Sequence, residues 1–326
     1  MSTHLPRLRR ALMASGLATL ILASAAQAAN KTGADVRVVT ADGKTLVDQR
    51  QYTGTTKVKT SKKADCFGDG TGGSGDKVEV PGATALGAVS DASAYQSKLR
   101  PLLLTDSFDF GIGICGFGGV VAPQTGFWYL KLNHEAAMTG GDQTLVESGD
   151  DVLWYLIEDF NEPPPAELEL KAPAVVEPGE KIPVRAFEYA DDGAKSPAAG
   201  VTVAGAVTGP DGRAEVAPTG ATSRLKAVRA GDIPSRTLDV CQAQAISDCP
   251  AGHVLKIAGT DGADKIKGDK RPVVINAFGG RDKVDLRSSK NSAPPIVKCG
   301  PGKDTVTVRK GQKFTARKSC ERIRRR

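Results

Sequence analysis

Apolar and polar residues alternate most clearly over residues 127–155, which predicts two neighbouring β-strands that are half-buried on one face. Polar turns and a Gly-Gly-Asp step at 140–142 separate the two strands. Both tryptophans of the chain lie in this segment, so it is the best-marked part of the predicted core. The residues that share the apolar face are Trp128, Leu130, Leu132, Val152, Trp154 and Leu156.

The same reasoning predicts a hairpin and a helix nearer the start of the chain. Residues 36–39 and 45–47 form two short strands around Asp42-Gly43, the pair favoured in a type I′ turn. Thr84 is a suitable N-cap for a helix that runs to Leu99 and buries Leu86 and Val89. Strands, one helix and more strands over residues 31–160 predict an α+β domain.

With the Cys-Gly-Phe-Gly-Gly segment at 115–119, these features resemble a secreted family related to the C-terminal domain of transcobalamin and intrinsic factor. The resemblance covers residues 29–160 and implies a grasp-like α+β fold that serves as a binding or surface module. It also suggests a corrinoid-like small ligand, held between the tryptophan strands and the glycine-rich loop around Cys115. His134 lies in a turn, where we expect it to be exposed. The ligand platform would consist of Trp128, Tyr129, His134 and Trp154.

Residues 161–165 are rich in proline and mark a linker, and the next domain spans 166–250. Short strands with turns at Pro178-Gly179 and Pro210-Asp211-Gly212 predict an Ig-like β-sandwich. Residues 197–216 resemble a prealbumin-type or bacterial Ig-like repeat, a kind of module that usually acts as a spacer.

Glycine-rich motifs with one aspartate recur in residues 251–309, at Asp264, Asp282 and Asp304. They resemble the nonapeptide repeats of secreted RTX-type calcium-binding proteins, which implies a degenerate parallel β-roll. Calcium requires six to eight oxygen ligands, which carboxylates and turn carbonyls supply. The residues implied for this role are Asp261, Asp264, Asp282 and Asp304, with the carbonyls of Gly259, Gly262 and Gly280.

Two interpretations of these repeats remain open. Lysines and arginines crowd the same turns and disfavour a divalent cation, so calcium binding would be weak. In the alternative, the repeats bind no metal, the aspartates cap turns, and a disulfide holds the scaffold.

Residues 1–28 have the pattern of a signal peptide, with Arg7, Arg9 and Arg10 before an apolar stretch and Ala26-Gln27-Ala28 as the cleavage site. No later apolar run is long enough for a transmembrane segment. We therefore expect a secreted protein, either extracellular or associated with the cell envelope. Six cysteines in such a chain predict disulfides. Six cysteines allow 15 pairings, and the domain organisation favours Cys66–Cys115, Cys241–Cys249 and Cys299–Cys320.

The net charge of +7 conceals an uneven distribution. Residues 255–326 contain 20 Lys and Arg against 7 Asp and Glu, whereas residues 29–254 carry a net charge of −9. The basic tail, residues 310–326, is either a solvated tail or a binding segment for a cell-envelope polyanion. Nucleic acid is not expected, because no aromatic residues are interleaved with the basic ones. The basic residues concerned are Lys310, Lys313, Arg317, Lys318, Arg322, Arg324, Arg325 and Arg326.

The sequence does not predict an enzyme. Only His134 and His253 follow the signal segment, and they fall in different predicted domains, which argues against a hydrolytic triad or a histidine-rich metal centre. We expect a non-enzymatic, monomeric, exported surface or recognition protein that docks to the envelope through its basic tail. A secreted protein that binds a small ligand in its first domain is the alternative.

Overall fold

The computed structural model describes residues 31–250, 255–271, 273–289, 294–316 and 319–326. These residues are rich in β-structure and form several sheets, which confirms the predicted β-rich class. The described residues contain no helix with the length and apolar character needed to cross a membrane. The predicted signal peptide lies outside them.

The first region, residues 31–160, combines strands with one α-helix. Helix α1 (Ala85–Tyr95) begins after Thr84, whose hydroxyl accepts a hydrogen bond from the Gly87 amide at 3.0 Å, as the sequence predicts. It ends before Leu99 because Gln96 is extended and a 3-10 turn follows. The strands are β1 (Thr32–Val39), β2 (Thr45–Thr53), β3 (Thr56–Lys59), β4 (Lys77–Val80), β5 (Leu102–Phe108), β6 (Gly111–Phe117), β7 (Val120–Val121), β8 (Phe127–Leu132), β9 (Glu135–Ala136) and β10 (Asp151–Ile157).

Five of these strands form one sheet in the order β2-β1-β10-β8-β9, with β1 parallel to β10 and antiparallel to β2. Helix α1 covers one face of this sheet. Alternate residues point to that face, including Val36 and Val38, and the face contains the apolar set predicted on β8 and β10. The tryptophan strands are therefore paired as the sequence predicts, with Trp154 opposite Leu130.

The middle region, residues 166–250, contains short strands in three small sheets around its own core. Leu168, Ile182, Val201, Leu225 and Val240 are among the fully buried residues of that core. The strands are β11 (Glu167–Lys171), β12 (Val175–Val176), β13 (Ile182–Tyr189), β14 (Lys195–Pro197), β15 (Thr202–Val203), β16 (Ala206–Val207), β17 (Arg213–Val216), β18 (Thr222–Leu225), β19 (Ala227–Val228) and β20 (Leu238–Gln242).

The middle region packs against the sheet face that α1 leaves open, so it does not extend the chain as a spacer. The contact combines an apolar cluster, which includes Leu153 and Ile233, with several polar pairs. The buried Arg37 side chain on β1 pairs with buried Glu167 on β11 and donates to the Pro234 carbonyl at 2.7 Å. Arg236 pairs with Asp151 at 2.8 Å, and the Tyr129 hydroxyl donates to Asp191 at 2.5 Å.

The coil region, residues 255–326, consists of successive coils with two strands each. Strands β21, β23, β25 and β27 pair in parallel in one sheet, and β22, β24, β26 and β28 pair in parallel in another. Ile257, Ile275, Ile266 and Val284 fill the space between the two sheets. The strands are β21 (Leu255–Thr260), β22 (Lys265–Lys267), β23 (Val273–Phe278), β24 (Lys283–Asp285), β25 (Ile296–Lys298), β26 (Thr305–Val308), β27 (Thr315–Ala316) and β28 (Arg322–Arg325).

The first coil continues the sheet of the first region. Strand β21 pairs in parallel with β2, so nine strands form one sheet across both regions. Tyr52 of β2 covers the end of the coil core, and its hydroxyl accepts a hydrogen bond from the Lys267 amide at 3.0 Å. Tyr95 at the end of α1 stacks on Phe278, with ring centroids 3.4 Å apart. Strand β2 thus closes the open end that a stack of coils would otherwise expose.

The three disulfides join the cysteine pairs that the sequence predicts. Cys66–Cys115 ties the segment between β3 and β4 to β6. Cys241–Cys249 closes the end of the middle region, and Cys299–Cys320 lies in the coil core. Disulfides of this kind are typical of proteins that fold outside the reducing cytosol.

The Arg37–Glu167 pair gives a test of the contact between the first and middle regions. Glu167→Gln leaves the buried Arg37 guanidinium without its countercharge, so we expect unfolding to become easier by about 3–5 kcal/mol. Glu215→Gln is the matched control, because Glu215 is exposed and pairs only with exposed Lys181; its effect should stay within about 0.5 kcal/mol. Urea unfolding of both variants measures the difference. Small and equal changes in the free energy of unfolding of the two variants would contradict the prediction that the Arg37–Glu167 pair stabilises this contact.

Candidate functional site

The first region contains a cavity of about 330 Å³ between β6, β8 and the segment 137–142. Small-molecule sites range from about 300 to 1,000 Å³, so this volume suits a small ligand. Phe110 and Phe67 stand at the cavity with 76% and 43% of their surface exposed. The residues that line it are mostly apolar or glycine: Phe67, Phe110, Gly111, Ile112, Gly113, Ile114, Phe127, Trp128, Tyr129, Leu130, Ala137, Thr139, Gly140, Gly141, Asp142 and Trp154. We call it the aromatic cavity.

Both tryptophans of the chain line the aromatic cavity. They lie on the sheet face that α1 covers. Phe117 packs against both indoles, and its ring centroid lies 4.6 Å from that of Trp128 and 6.2 Å from that of Trp154. The indole nitrogens of Trp128 and Trp154 are buried and have no hydrogen-bond partner. An indole N–H can only donate, and a buried donor left unpaired costs about 1–3 kcal/mol. Two residues of the cavity lining therefore carry unused donors, although the nitrogen atoms themselves are buried.

Glycines keep the cavity open. A Cβ atom on Gly141 would lie 2.5 Å from Trp154 Cζ2, and one on Gly113 would lie 2.8 Å from the Phe67 ring. Gly111, Gly113 and Gly116 all lie in strand β6. Its glycines leave space beside the aromatic rings, and Cys115 fixes the strand through its disulfide.

Asp142 supplies the charged group of the aromatic cavity. Its Oδ2 atom accepts a hydrogen bond from the Ile112 amide at 3.2 Å, whereas its Oδ1 atom is buried and has no hydrogen-bond partner. The sequence marked the Gly-Gly-Asp step only as a turn, so Asp142 was missed as a site residue. Its position beside two glycines was the one available signal, since such turns bring backbone close to a neighbouring group.

The structure separates the residues predicted as a ligand platform. Trp128 and Trp154 line the aromatic cavity, and Tyr129 contributes to the lining while its hydroxyl bonds Asp191 of the middle region. His134 is not in this group. Its ring stacks on Tyr189 at 3.8 Å, and its Nδ1 atom lies 3.1 Å from Glu167. His134 is therefore half-buried at the contact with the middle region, so the predicted exposure is wrong.

The buried carboxylates at the contact with the middle region are paired with basic groups that lower their pKa values. Burial raises the pKa of Glu167, but the Arg37 guanidinium and His134 more than offset it, and the net pKa is lowered. Burial likewise raises the pKa of Asp151, and Arg236 reverses the direction. These carboxylates are acceptors committed to structural partners, which argues against a proton-transfer role for them.

In the coil region, Asp264, Asp282 and Asp304 occupy equivalent positions in successive coils and are buried. We call them the carboxylate column. The Asp264 amide donates to Asp282 Oδ1 at 2.9 Å, and the Asp282 amide donates to Asp304 Oδ1 at 2.8 Å. The Asp304 amide donates in turn to Glu321 at 2.8 Å. The carboxylates of Asp282 and Asp304 therefore each bind the coil before them, a role close to the turn-capping alternative.

The fit of the carboxylate column to calcium is poor. Asp264 accepts a hydrogen bond from the Thr260 amide at 2.8 Å and lies 3.1 Å from the Lys31 ammonium. The Gly259 carbonyl already accepts from Gln51 at 2.9 Å, and Asp261 bonds the Tyr95 hydroxyl. The Gly262 carbonyl accepts from Thr260 at 3.3 Å. Gly280 turns with a φ of 122° beside Gly302.

Two column oxygens, Oδ2 of Asp282 and Oδ2 of Asp304, are buried without a hydrogen-bond partner. Among the residues that the structure describes, no cluster of three or more His, Cys, Asp or Glu side chains could hold a metal ion. Calcium favours six to eight oxygens. Calcium binding stays a prediction, and an ion at Asp264 would have to displace Lys31.

The basic residues predicted to bind a polyanion do not form one tail. Arg322 and Arg324 lie in strand β28, where Arg325 stands 5.9 Å above the Phe314 ring. The Arg326 amide donates to the Val308 carbonyl at 3.0 Å, so the chain end is paired with the coil. Lys310 and Lys313 are exposed beside it. Arg317 and Lys318 lie outside the described residues.

Comparisons of the chain with family models, with curated proteins and with solved structures found no match. The resemblances to transcobalamin-related, Ig-like and RTX-type domains therefore stay predictions.

The carboxylate column predicts an unusual pH dependence. Burial, and then the neighbouring carboxylates of Asp264 and Asp304, raise the pKa of Asp282 to about 7. An aspartate of unfolded chains has a pKa of about 3.9. The folded state therefore binds this proton more tightly than the unfolded state does. The protonated carboxyl contributes its whole stabilisation below about pH 4, and this stabilisation is lost as the pH rises through about 7.

Asp282→Asn removes that loss. With a chelator present, we expect the variant to be more stable than the parent at pH 8, by on the order of 3 kcal/mol. At pH 4 we expect no gain in stability over the parent. Asp285→Asn is the control of opposite sign. Hydrogen bonds from Arg287 lower the pKa of Asp285, so its removal should destabilise slightly at pH 8. Thermal unfolding from pH 4 to 8 measures both. A pH-independent effect of Asp282→Asn would contradict the buried charge.

Calorimetry with millimolar calcium tests the metal prediction on the full chain, because β21 pairs with β2 of the first region. If an ion enters beside Asp264, removal of the competing ammonium in Lys31→Gln should increase the calcium affinity several-fold. Lys57→Gln, an exposed lysine on β3, is the control. If neither the parent nor Lys31→Gln gives heat with calcium, the metal prediction is wrong. The carboxylate column would then serve only to accept backbone hydrogen bonds.

Proposed function

We propose that this chain is a non-enzymatic, exported binding protein whose first region holds a small, mainly apolar molecule in the aromatic cavity. The observation that carries the proposal is a cavity of about 330 Å³ lined mainly by apolar and glycine residues, including Trp128 and Trp154, whose buried indole donors have no partner. A binding pocket is typically apolar with a few convergent polar groups. The aromatic cavity has this composition.

The polar groups indicate the chemistry of the ligand. The indole N–H groups are buried without a partner in this structure, and a side-chain adjustment on binding would let one of them donate to a ligand acceptor such as a carbonyl oxygen. The Asp142 carboxylate, whose Oδ1 atom is also buried without a partner, favours a ligand donor such as an amide or hydroxyl group and repels an anion. Aromatic rings on the remaining wall favour a flat, apolar body. We therefore propose a neutral or weakly basic aromatic molecule that carries one acceptor and one donor.

The same geometry does not favour a corrinoid. A cavity near the lower limit for small-molecule sites is too small to enclose a corrin macrocycle. His134, the residue of the predicted platform with a ring nitrogen able to ligate a metal, contacts Tyr189 and Glu167 away from the cavity. The finer fold assignments fit this function as proposals: a grasp-like first domain, an Ig-like middle domain and a degenerate β-roll.

The arrangement supports binding in preference to catalysis. Asp142 is the one carboxylate in the lining, and neither histidine, cysteine nor serine stands beside it. The buried acids of the neighbouring contact are committed to arginines. The disulfides and the signal-like start of the sequence favour export, which would place the cavity where extracellular small molecules are available.

Naphthalene-2-carboxamide is a suitable probe, because its ring is apolar and its amide offers both an acceptor and donors. We expect it to bind about tenfold more tightly than 2-methylnaphthalene, since one net hydrogen bond is worth about 1.4 kcal/mol. Naphthalene-2-carboxylate should bind more weakly than the carboxamide because Asp142 repels it. Calorimetry gives the affinities. Equal binding of all three probes would contradict the assigned polar groups.

The two indole N–H signals of the chain report the site directly in a ¹H–¹⁵N spectrum. Binding of the carboxamide should move at least one of them downfield, because the donor gains an acceptor.

Ala137→Phe fills the cavity and should weaken carboxamide binding by about tenfold or more. Met138→Phe introduces the same side chain at a neighbouring position that is 94% exposed, and should bind as the parent does. Both variants are compared with the parent by calorimetry after their thermal unfolding has been checked. Undiminished binding in Ala137→Phe would place the probe elsewhere.

A further inference from the structure

The outer face of the second coil sheet carries seven basic side chains in a small area. The buried residues Ile266, Val284 and Val306 point inward from β22, β24 and β26, so the residues on either side of them point outward. We call the outward basic set the basic face. It consists of Lys265, Lys267, Arg281, Lys283, Lys303, Arg322 and Arg324.

The strand register arranges these side chains in columns. Lys265 lies beside Lys283, followed by Thr305 and then Arg322. A second column begins at Lys267 and ends at Arg324. Neighbouring strands are about 4.8 Å apart, and residues two apart on a strand are about 6.7 Å apart.

Arg281 and Lys303 add a third column. The bridge between Gly280 and Gly302 aligns the two coils at this point, so the residues that follow these glycines are neighbours. Both Arg281 and Lys303 are exposed. The charges of the basic face therefore lie on paired strands or just before them.

One described acidic residue, Asp285, lies on this sheet face, opposite Lys267. Within the described part of the chain, none of the seven side chains of the basic face forms an ion pair. Asp285 is the acidic residue that shares a column, and it is bound by Arg287 at 2.6 Å. Arg287 therefore compensates most of the charge of Asp285, and Lys267 makes a smaller electrostatic contribution.

This arrangement carries a cost to the fold. Lys265 and Lys283 are directly opposite each other, and like charges at such positions destabilise a sheet. The coil core and the Cys299–Cys320 disulfide stabilise the region without any help from these lysines. Residues that oppose the local rules of a fold, with no structural gain, are commonly retained for binding.

We propose that the basic face binds a linear anionic polysaccharide, with carboxylate or sulfate groups lying along the columns. Charge complementarity selects a polyanion. A chain of repeated anionic groups can contact several columns at once, and Thr305 and Thr307 between them can bond its hydroxyl groups.

Two other anionic partners fit less well. The basic face has no aromatic residue on which a base could stack. It also has no large apolar side chain that could enter a lipid surface, apart from Ile323 at its end. The site is separate from the aromatic cavity and includes Lys265, Lys267, Arg281, Lys283 and Lys303, which the sequence did not assign to a polyanion.

Binding of the full chain to immobilised heparin, measured from about 0.05 to 0.5 M NaCl, tests the proposal. The parent should release with rising salt, because bound cations displace counterions from the polymer. The triple variant Lys265→Gln, Lys267→Gln, Lys283→Gln should bind about tenfold more weakly at the lowest salt, and the slope of log affinity against log salt should become shallower by roughly 2 to 3.

The matched control is Lys57→Gln, Lys59→Gln, Lys77→Gln, which removes the same charge from exposed positions on β3 and β4. It should keep at least half of the parent affinity. Equal weakening in both triple variants, or retention that does not depend on salt, would overturn the proposal. Tighter binding to single-stranded DNA or to phosphatidylglycerol vesicles than to heparin would also overturn it. Circular dichroism confirms that each variant is folded.

Discussion

Strand β2 is shared by two parts of the molecule, and the remaining architecture depends on that fact. One of its edges bonds β1 in the first region, and the other bonds β21 in the first coil. An exposed strand edge presents unpaired backbone groups, and a stack of parallel coils has such edges at its ends. Pairing β2 with β21 satisfies both needs at once. Tyr52 then seals the coil core from the same strand, so the coils are built outward from the first region.

The two faces of the first-region sheet are stabilised by different physics. Helix α1 buries apolar side chains on one face, where the main contribution is the hydrophobic effect. The middle region covers the other face through an apolar cluster that includes Leu153, Tyr155 and Ile233. On this face the buried Arg37–Glu167 pair and the partly exposed Arg236–Asp151 pair are added to the apolar contact. A buried ion pair adds little net stability, but loss of one partner is severe. The ion pairs on this face therefore specify how the middle region docks more than they strengthen the fold.

The aromatic cavity and the basic face are places where the fold gives up stability. Two buried indole donors are unpaired beside glycines that leave space. Lysines face each other across β22 and β24. Neither feature helps the chain fold, and each would be relieved by a partner of complementary chemistry. The carboxylate column has two opposing effects. Asp282 and Asp304 accept backbone hydrogen bonds from neighbouring coils, whereas the buried charge of Asp282 opposes folding above about pH 7.

Local patterns in the sequence determined much of this structure. Alternation around Trp128 and Trp154, the Thr84 cap and the glycine-aspartate repeats act over a few residues, and the sequence predicted the paired strands, the helix start and the coil positions from them. Only the tertiary structure decided which faces meet. The Arg37–Glu167 pair and the β2–β21 pairing join residues far apart in the chain, and nothing local marks such partners. Asp142 became a site residue, His134 became half-buried and scattered lysines became one face because the packing of distant strands sets burial and proximity.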